Sequence, residues 1–256
     1  MFYDYTDKTE RDRWVNADHF LSGLRRINLF AGGYGSGKSE VSVNFALSLV
    51  EQGRQVTIAD LDIVNPYFRS RETRQVLASR GVRVLMPPVE MMETDLPMLG
   101  PGIRGELVNG NDYLVLDLGG DSVGARVMAS FGNGLNPGDY SAFFVLNSRR
   151  PFAGTAKEVQ GMISGIEAAA GLPITQLVVN SHLIEETTAA VIKEGIELAE
   201  EVSRAISKPI GFVAVERRLI GELNLASINY PVLLLDRLLL KPWEQAELMG
   251  PQRFKI

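Results

Sequence analysis

Apolar runs of strand length alternate with helical patterns from about residue 26 to the end of the chain. The runs show little polar alternation, which is typical of parallel strands covered on both faces. Strand–helix alternation of this kind predicts a single wound α/β domain, with a mostly parallel sheet and helices on both faces. The predicted strands are Ile27–Ala31, Gln55–Ala59, Val82–Met86, Tyr113–Leu118, Ala142–Leu146, Gln176–Asn180, Ile210–Val215 and Val232–Leu235.

Three predicted helices have recognisable ends. Gly53 follows the first and Gly171 the second, at the position where glycine commonly ends a helix. Thr155 and Glu158 have the spacing of a capping box, which marks the start of the second helix. The predicted ranges are Ser39–Gln52, Thr155–Ala170 and Thr187–Ile206.

The chain shows no internal repeat and no low-complexity linker. Residues 1–22 are interpreted as an N-terminal arm or helix, and residues 23–256 as the domain itself. Residues 87–105 form the longest irregular segment, rich in methionine and proline. This segment could act as an adaptable binding surface, but a surface loop packed by its own methionines is the favoured interpretation.

The strongest motif follows the first predicted strand. Residues 32–39 read Gly-Gly-Tyr-Gly-Ser-Gly-Lys-Ser and match the phosphate-binding pattern G-x-x-x-x-G-K-[ST]. Its glycines let backbone N–H groups turn toward an anion, and the helix that follows directs the positive end of its dipole there. Lys38 would bind the β- and γ-phosphates, and Ser39 would bind Mg²⁺. Gly33, Tyr34, Gly35, Ser36 and Gly37 complete the predicted nucleotide-binding loop.

A second strand supplies a carboxylate for the metal. Residues 113–116 are apolar and bring Asp117 to the end of a buried strand, where a P-loop protein needs an acidic residue beside Mg²⁺. The sequence Asp117-Leu118-Gly119-Gly120 also reads as D-x-x-G, so the Gly120 amide is a candidate sensor of the γ-phosphate.

The strand after the first helix ends in Ala59-Asp60-Leu61-Asp62. Here the chain resembles the ParA/MinD/ArsA-like P-loop ATPases, in which a D-x-D element forms the first switch. The resemblance implies that Asp62 positions the attacking water and that Asp60 supports the Mg²⁺ site. Helix capping by Asp62 and Asn65 is the alternative interpretation.

The resemblance extends to Asn180, which corresponds to the asparagine that contacts adenine in that family. GTP-specific relatives carry N-K-x-D at this point, whereas this chain has Asn180-Ser181-His182-Leu183. The resemblance therefore favours ATP as the nucleotide. His182 is interpreted as a surface residue rather than a ligand.

One position departs from the family pattern. Many relatives carry a lysine that crosses a dimer interface to the partner's nucleotide, and the matching residue here is Gly33. This difference argues against a sandwich homodimer. Arg69, Arg71 and Arg74 could replace that charge, although a solvated helix face is the favoured interpretation.

Composition narrows the function further. The net charge of -5 does not favour general nucleic-acid binding. With 0 cysteines, the chain has no disulfides and no thiolate metal or iron–sulfur sites. The polar N-terminus does not resemble a signal peptide, and we expect a cytoplasmic protein without a membrane partner.

These patterns predict a Mg²⁺-dependent ATPase that acts as a conformational switch on an unidentified protein partner. Two alternatives remain. One is a metabolic ligase or kinase of the dethiobiotin synthetase or cobyrinate amidoligase type, and the other is a nucleotide sensor that does not hydrolyse ATP.

Overall fold

The computed structural model describes residues 12–61, 71–85, 101–119, 129, 135–136 and 138–239. The described chain contains a nine-stranded sheet. Its strands are β1 (Trp14–Val15), β2 (Ile27–Ala31), β3 (Val56–Leu61), β4 (Val82–Leu85), β5 (Tyr113–Leu118), β6 (Tyr140–Leu146), β7 (Gln176–Val179), β8 (Ile210–Glu216) and β9 (Val232–Leu235).

The strand order is β1-β9-β8-β7-β6-β2-β5-β3-β4. Every recorded pairing is parallel except that of β1 with β9. The predicted wound α/β fold is therefore confirmed. The eight predicted strands are present with ends shifted by at most two residues, whereas β1 was missed because two residues are too short to show a periodicity.

The helices are α1 (Asp18–Ser22), α2 (Lys38–Glu51), α3 (Arg71–Ser79), α4 (Pro101–Asn109), α5 (Ala156–Ala170) and α6 (Ala189–Ile206). Thr155 caps α5 through the predicted capping box with Glu158, and Gly171 ends α5 at a φ of 65°. α6 begins two residues later than predicted, because a separate 3-10 turn occupies Ile184–Glu186. The segment interpreted as irregular up to residue 105 is helical from Pro101.

Helices cover both faces of the sheet, and alternate residues of each central strand belong to different cores. Phe30 of β2 packs with Val41 and Phe45 of α2 on one face. Leu29 of β2 packs on the other face in a cluster that includes Val159 of α5 and Ile192 of α6. This arrangement explains why the strands read as continuous apolar runs.

β2 lies at the centre of the sheet, between β5 and β6. Because neighbouring strands are parallel, their carboxyl ends meet at one edge of the sheet, next to the loop between β2 and α2. Within the described ranges, no helix is long and apolar enough to cross a membrane. Arg74 of α3 is exposed, as expected for a solvated helix face.

Candidate functional site

The loop that joins β2 to α2 has the backbone shape of an anion-binding turn. Gly35 and Gly37 adopt φ values of 71° and 81°, which other residues resist. Ser36 N–H donates to the Gly33 carbonyl over 3.1 Å, and α2 begins directly after the loop at Lys38. The first N–H groups of α2 therefore lie at the end of the loop, where a helix terminus favours negative charge.

Two side chains from the segments that follow β6 and β7 hold this loop in place. Arg150 Nε donates to the Gly35 carbonyl at 2.7 Å, and Asn180 Nδ2 donates to the Ser36 carbonyl at 2.8 Å. In a trans peptide, the carbonyl and the following N–H point in opposite directions, so the Gly37 N–H points away from Asn180. No described residue accepts a hydrogen bond from the N–H of Gly35 or Gly37. These donors are thus available to an anion.

Close packing explains why both positions are glycine. A Cβ atom at position 37 would lie 2.4 Å from Asn180 Nδ2, and one at position 35 would lie 3.0 Å from Arg150 Nε. Any larger residue would push away the two side chains that fix the loop, in addition to straining its backbone.

The predicted cation and metal ligands converge on the same end of the sheet. Lys38 and Ser39 are 5% and 4% exposed and line one cavity. Asp117 of β5 and Asp60 of β3 are buried, and their Cα atoms are paired in register. Asp117 also pairs with Phe30, the penultimate residue of β2. The two carboxylates therefore lie beside the start of the phosphate-binding loop.

The Ser39 hydroxyl fits the requirements of a Mg²⁺ ligand. Ser39 Oγ is buried without a hydrogen-bond partner among the described residues, and a buried polar atom without a partner is costly unless a ligand satisfies it. Mg²⁺ in nucleotide sites is held by one or two protein oxygens together with substrate phosphates and water. Ser39, with Asp117 and Asp60 nearby, would hold the ion.

A cavity of about 300 Å³ extends from the loop across the ends of β7, β8 and β9. Its far wall combines apolar side chains with polar groups, as in sites that bind an aromatic ring and orient it through a few hydrogen bonds. The apolar lining residues include Ile184, Ile192, Ala214, Leu235 and Leu239, and the polar ones include Asn180, Thr187, Glu216 and Arg237.

The segment that follows β9 forms one side of this cavity and is attached to α2. Glu40 accepts hydrogen bonds from the backbone N–H groups of Leu238 at 2.7 Å and Leu239 at 3.0 Å. Asn44 accepts from the Asp236 N–H and donates to the Asp236 carbonyl, each over 2.9 Å. Burial raises the pKa of Glu40 to about 7, although these N–H groups, Arg237 and Asn44 oppose the shift.

His182 lies beside the phosphate-binding loop, and its interpretation as a surface residue rather than a ligand stays a prediction. The side chain is only partly exposed, lines the cavity and has Nε2 3.0 Å from the position of a Cβ on Gly37. Burial lowers the pKa of His182 to about 4, and the positive charges of Arg150 and Arg237 add to the effect. The imidazole is therefore neutral at pH 7.

The lowered pKa of His182 predicts a pH-dependent stability. The neutral side chain contributes stability that is complete above the unfolded-state pKa of about 6.5 and is lost as pH falls through about 4. Between pH 7.5 and 4.5, wild type should lose on the order of 1–3 kcal/mol more unfolding free energy than His182→Gln. Urea unfolding of both proteins at each pH measures this difference, and equal losses would contradict the shift. Glu40 titrates in the opposite sense in both proteins and cancels in the comparison.

The remaining predicted site residues have different outcomes. Gly33 belongs to the loop, and a Cβ there would meet Met162 Sδ at 3.4 Å. Tyr34 lines the cavity, but its side chain is 77% exposed. Asp62 and Gly120 lie outside the described residues, and their roles stay predictions. Asp121, the acidic residue directly after Gly120, also lies outside them.

Sequence reasoning missed Arg150, Glu40 and the segment 236–239. Arg150 follows β6 by four residues and reaches the loop from a neighbouring strand, so no spacing in the sequence connects it with residue 35. The one signal available for Glu40 was its position, because this acidic residue directly follows Ser39 of the motif.

No family model matches the sequence, and no curated protein matches it. The chain resembles the crystal structure of FlhF complexed with GMPPNP and Mg²⁺ at 14% identity, with a TM-score of 0.47 and coverage of 80% of this chain and 75% of that one. FtsY from Thermotoga maritima gives 14% identity, a TM-score of 0.46 and coverage of 78% and 68%. The BceF tyrosine kinase domain has 17% sequence identity and a TM-score of 0.41, with coverage of 60% of this chain and 68% of that one.

The chain has a P-loop NTPase fold. This conclusion rests on the loop between the central strand and its helix, on Lys38 and Ser39 at the start of that helix, and on the strand-end carboxylate of Asp117. The low-identity likenesses do not indicate which nucleotide this chain binds.

Proposed function

We propose that this chain is a Mg²⁺-dependent nucleoside triphosphatase that uses ATP and acts as a conformational switch. The observation that carries the proposal is the shape of the phosphate-binding loop. Arg150 and Asn180 bind two consecutive carbonyls, of Gly35 and Ser36, and leave N–H donors beside Lys38. Release of phosphate from Mg-ATP tests it.

The phosphate end of the site requires positioning and charge rather than covalent chemistry. The loop N–H groups and Lys38 would bind the β- and γ-phosphates, and Ser39 with Asp117 and Asp60 would hold Mg²⁺. The ion would neutralise phosphate charge as the bond to the γ-phosphorus breaks. Asp62 is proposed to orient the attacking water, by its resemblance to the ParA/MinD/ArsA-like ATPases.

The free atom of Asn180 supports ATP over GTP. Asn180 is 5% exposed, and one N–H of its Nδ2 donates to the Ser36 carbonyl, so the side chain offers the cavity the acceptor Oδ1 besides its second N–H. The 6-amino group of adenine donates a hydrogen bond, whereas O6 of guanine would meet Oδ1 as a second acceptor. This arrangement favours adenine.

Competition binding should therefore show a preference for ATP over GTP. We expect a difference of about 1–3 kcal/mol, the usual cost of leaving a buried polar group without a partner. The measurement is displacement of a fluorescent ATP analogue by ATP and by GTP, both in excess Mg²⁺. Equal displacement, or a preference for GTP, would contradict the proposed role of Asn180 in reading adenine.

Ser39→Ala should weaken Mg-ATP binding without lowering the stability of the folded protein. The hydroxyl makes no hydrogen bond to the described residues, so its loss should leave the free energy of unfolding unchanged or slightly higher. The affinity for Mg-ATP should fall by about 1–3 kcal/mol, measured by calorimetric titration with and without Mg²⁺.

Ser42→Ala is the matched control for this change. Ser42 is buried in the same helix, and its hydroxyl donates to the Ser39 carbonyl at 3.0 Å. It should keep the wild-type affinity. If both variants bind Mg-ATP as wild type does, Ser39 is not a metal ligand.

A further inference from the structure

Arg150 lies in the turn after β6, and hydrogen bonds connect this turn to the segment that follows β7. The Asn147 carbonyl accepts from Arg150 N–H at 3.1 Å, and Asn147 Nδ2 donates to the His182 carbonyl at 3.1 Å. Asn147 Oδ1 also accepts from the His182 N–H at 3.2 Å, and Ser148 Oγ contacts Ser181 Oγ at 2.9 Å. These hydrogen bonds thus fix the position of the turn that carries Arg150.

The guanidinium of Arg150 is only partly satisfied. Its Nε donates to the Gly35 carbonyl, whereas its two terminal nitrogens have no hydrogen bond or carboxylate partner among the described residues. Nearby arginines differ, because Arg149 pairs with Glu194 and Arg237 pairs with Glu185. A partly buried guanidinium whose terminal N–H groups have no partner among the described residues is a strong hydrogen-bond donor site for an oxyanion.

The terminal N–H groups of Arg150 lie where a nucleotide would bind. Arg150 lines the cavity that contains Lys38 and Ser39, and it also lines a second cavity, of about 330 Å³, on the side of the loop that contains Gly33. Its charge also acts on His182, which lines the first cavity. The guanidinium thus provides a positive charge beside the phosphate-binding loop, in which Gly33 stands where the related ATPases carry a lysine.

We propose that Arg150 is a positioning residue of the phosphate-binding loop that also supplies a positive charge, within the same chain, to the bound nucleotide. Nε fixes the Gly35 carbonyl, and the terminal nitrogens are donors for the anionic ligand. This inference rests on the proposed function. It requires no second copy of the chain.

The test compares four variants with wild type for Mg-ATP binding at low and moderate NaCl concentrations. Arg150→Ala removes both the hydrogen bond and the charge, and we expect a loss of affinity of at least about 10-fold, the size of one charge-assisted contact. Arg150→Gln keeps an N–H donor for Gly35 without the charge, and should stay at least about 5-fold weaker than wild type. Arg150→Lys should recover part of the loss. Arg149→Ala, the exposed neighbour, should bind within about 2-fold of wild type.

Salt dependence separates charge from structure. The affinity of wild type should fall more steeply with NaCl than that of Arg150→Gln, because only wild type carries the charge that salt screens. The melting temperatures without nucleotide should agree within a few degrees, which shows that the variants are folded.

Three results would overturn the inference. The first is an Arg150→Ala variant that binds Mg-ATP as tightly as wild type. The second is an Arg150→Gln variant that has both the affinity and the salt dependence of wild type. The third is an Arg149→Ala variant that loses as much affinity as Arg150→Ala. In each case wild type binds Mg-ATP and the proposed function stands. If wild type itself binds no nucleotide, the proposed function fails and this inference fails with it.

Discussion

Lys38→Ala is expected to weaken Mg-ATP binding by at least about 100-fold, which corresponds to roughly 3 kcal/mol, the upper range for a hydrogen bond to a charged group. Lys38 is buried at the first position of α2 and lines the cavity next to Ser39. Its ammonium group would neutralise charge on the β- and γ-phosphates, and no other residue of the motif carries a positive side chain. Calorimetric titration with Mg-ATP measures the change.

The control for this experiment is Lys193→Ala. Lys193 is an exposed residue of α6, so its removal changes the net charge equally without touching the loop. It should bind Mg-ATP as wild type does, and circular dichroism should show that both variants are folded. Should Lys38→Ala bind ATP as tightly as the parent, the loop is not the nucleotide site.

Asp62→Asn is expected to lower the rate of ATP hydrolysis by at least about 100-fold, the lower range for loss of a general base, with little change in ATP affinity. A residue that positions water acts mainly in the transition state, so its loss affects turnover rather than binding. Asparagine keeps the size of the side chain and removes the charge. Single-turnover phosphate release and calorimetric titration measure the two effects separately.

Asp117→Asn provides the comparison, because Asp117 is assigned to the metal. It is fully buried at the end of β5 beside β2, and its loss should weaken Mg-ATP binding itself. If Asp62→Asn hydrolyses ATP at the parental rate, the water-positioning assignment is wrong. If both variants lose binding together, Asp62 belongs to the metal site, and Asp121 becomes the next candidate for the water.

The parts of the site that could be predicted are those whose geometry is local in sequence. The motif at residues 32–39 requires a preceding strand and a following helix, and both are present at Ile27–Ala31 and Lys38–Glu51. Asp117 was predictable for the same reason, because an apolar run that ends in a carboxylate places it at the edge of a parallel sheet.

The parts that could not be predicted depend on contacts between distant segments. Arg150 contacts Gly35 across 115 positions, and Glu40 accepts from Leu238 across 198 positions. Neither contact leaves a periodicity or a spacing in the sequence. The positive φ of Ile184, 59°, likewise follows from tertiary packing, since a β-branched residue does not favour that conformation alone.

Phosphate release from Mg-ATP by the purified wild-type chain tests the central claim most directly. The account predicts slow, Mg²⁺-dependent release that proceeds without any added small-molecule acceptor and disappears in Lys38→Ala. Tight ATP binding with no phosphate release would contradict the claim and identify a nucleotide sensor. Turnover that begins only when an acceptor is added would contradict it in favour of a ligase or kinase.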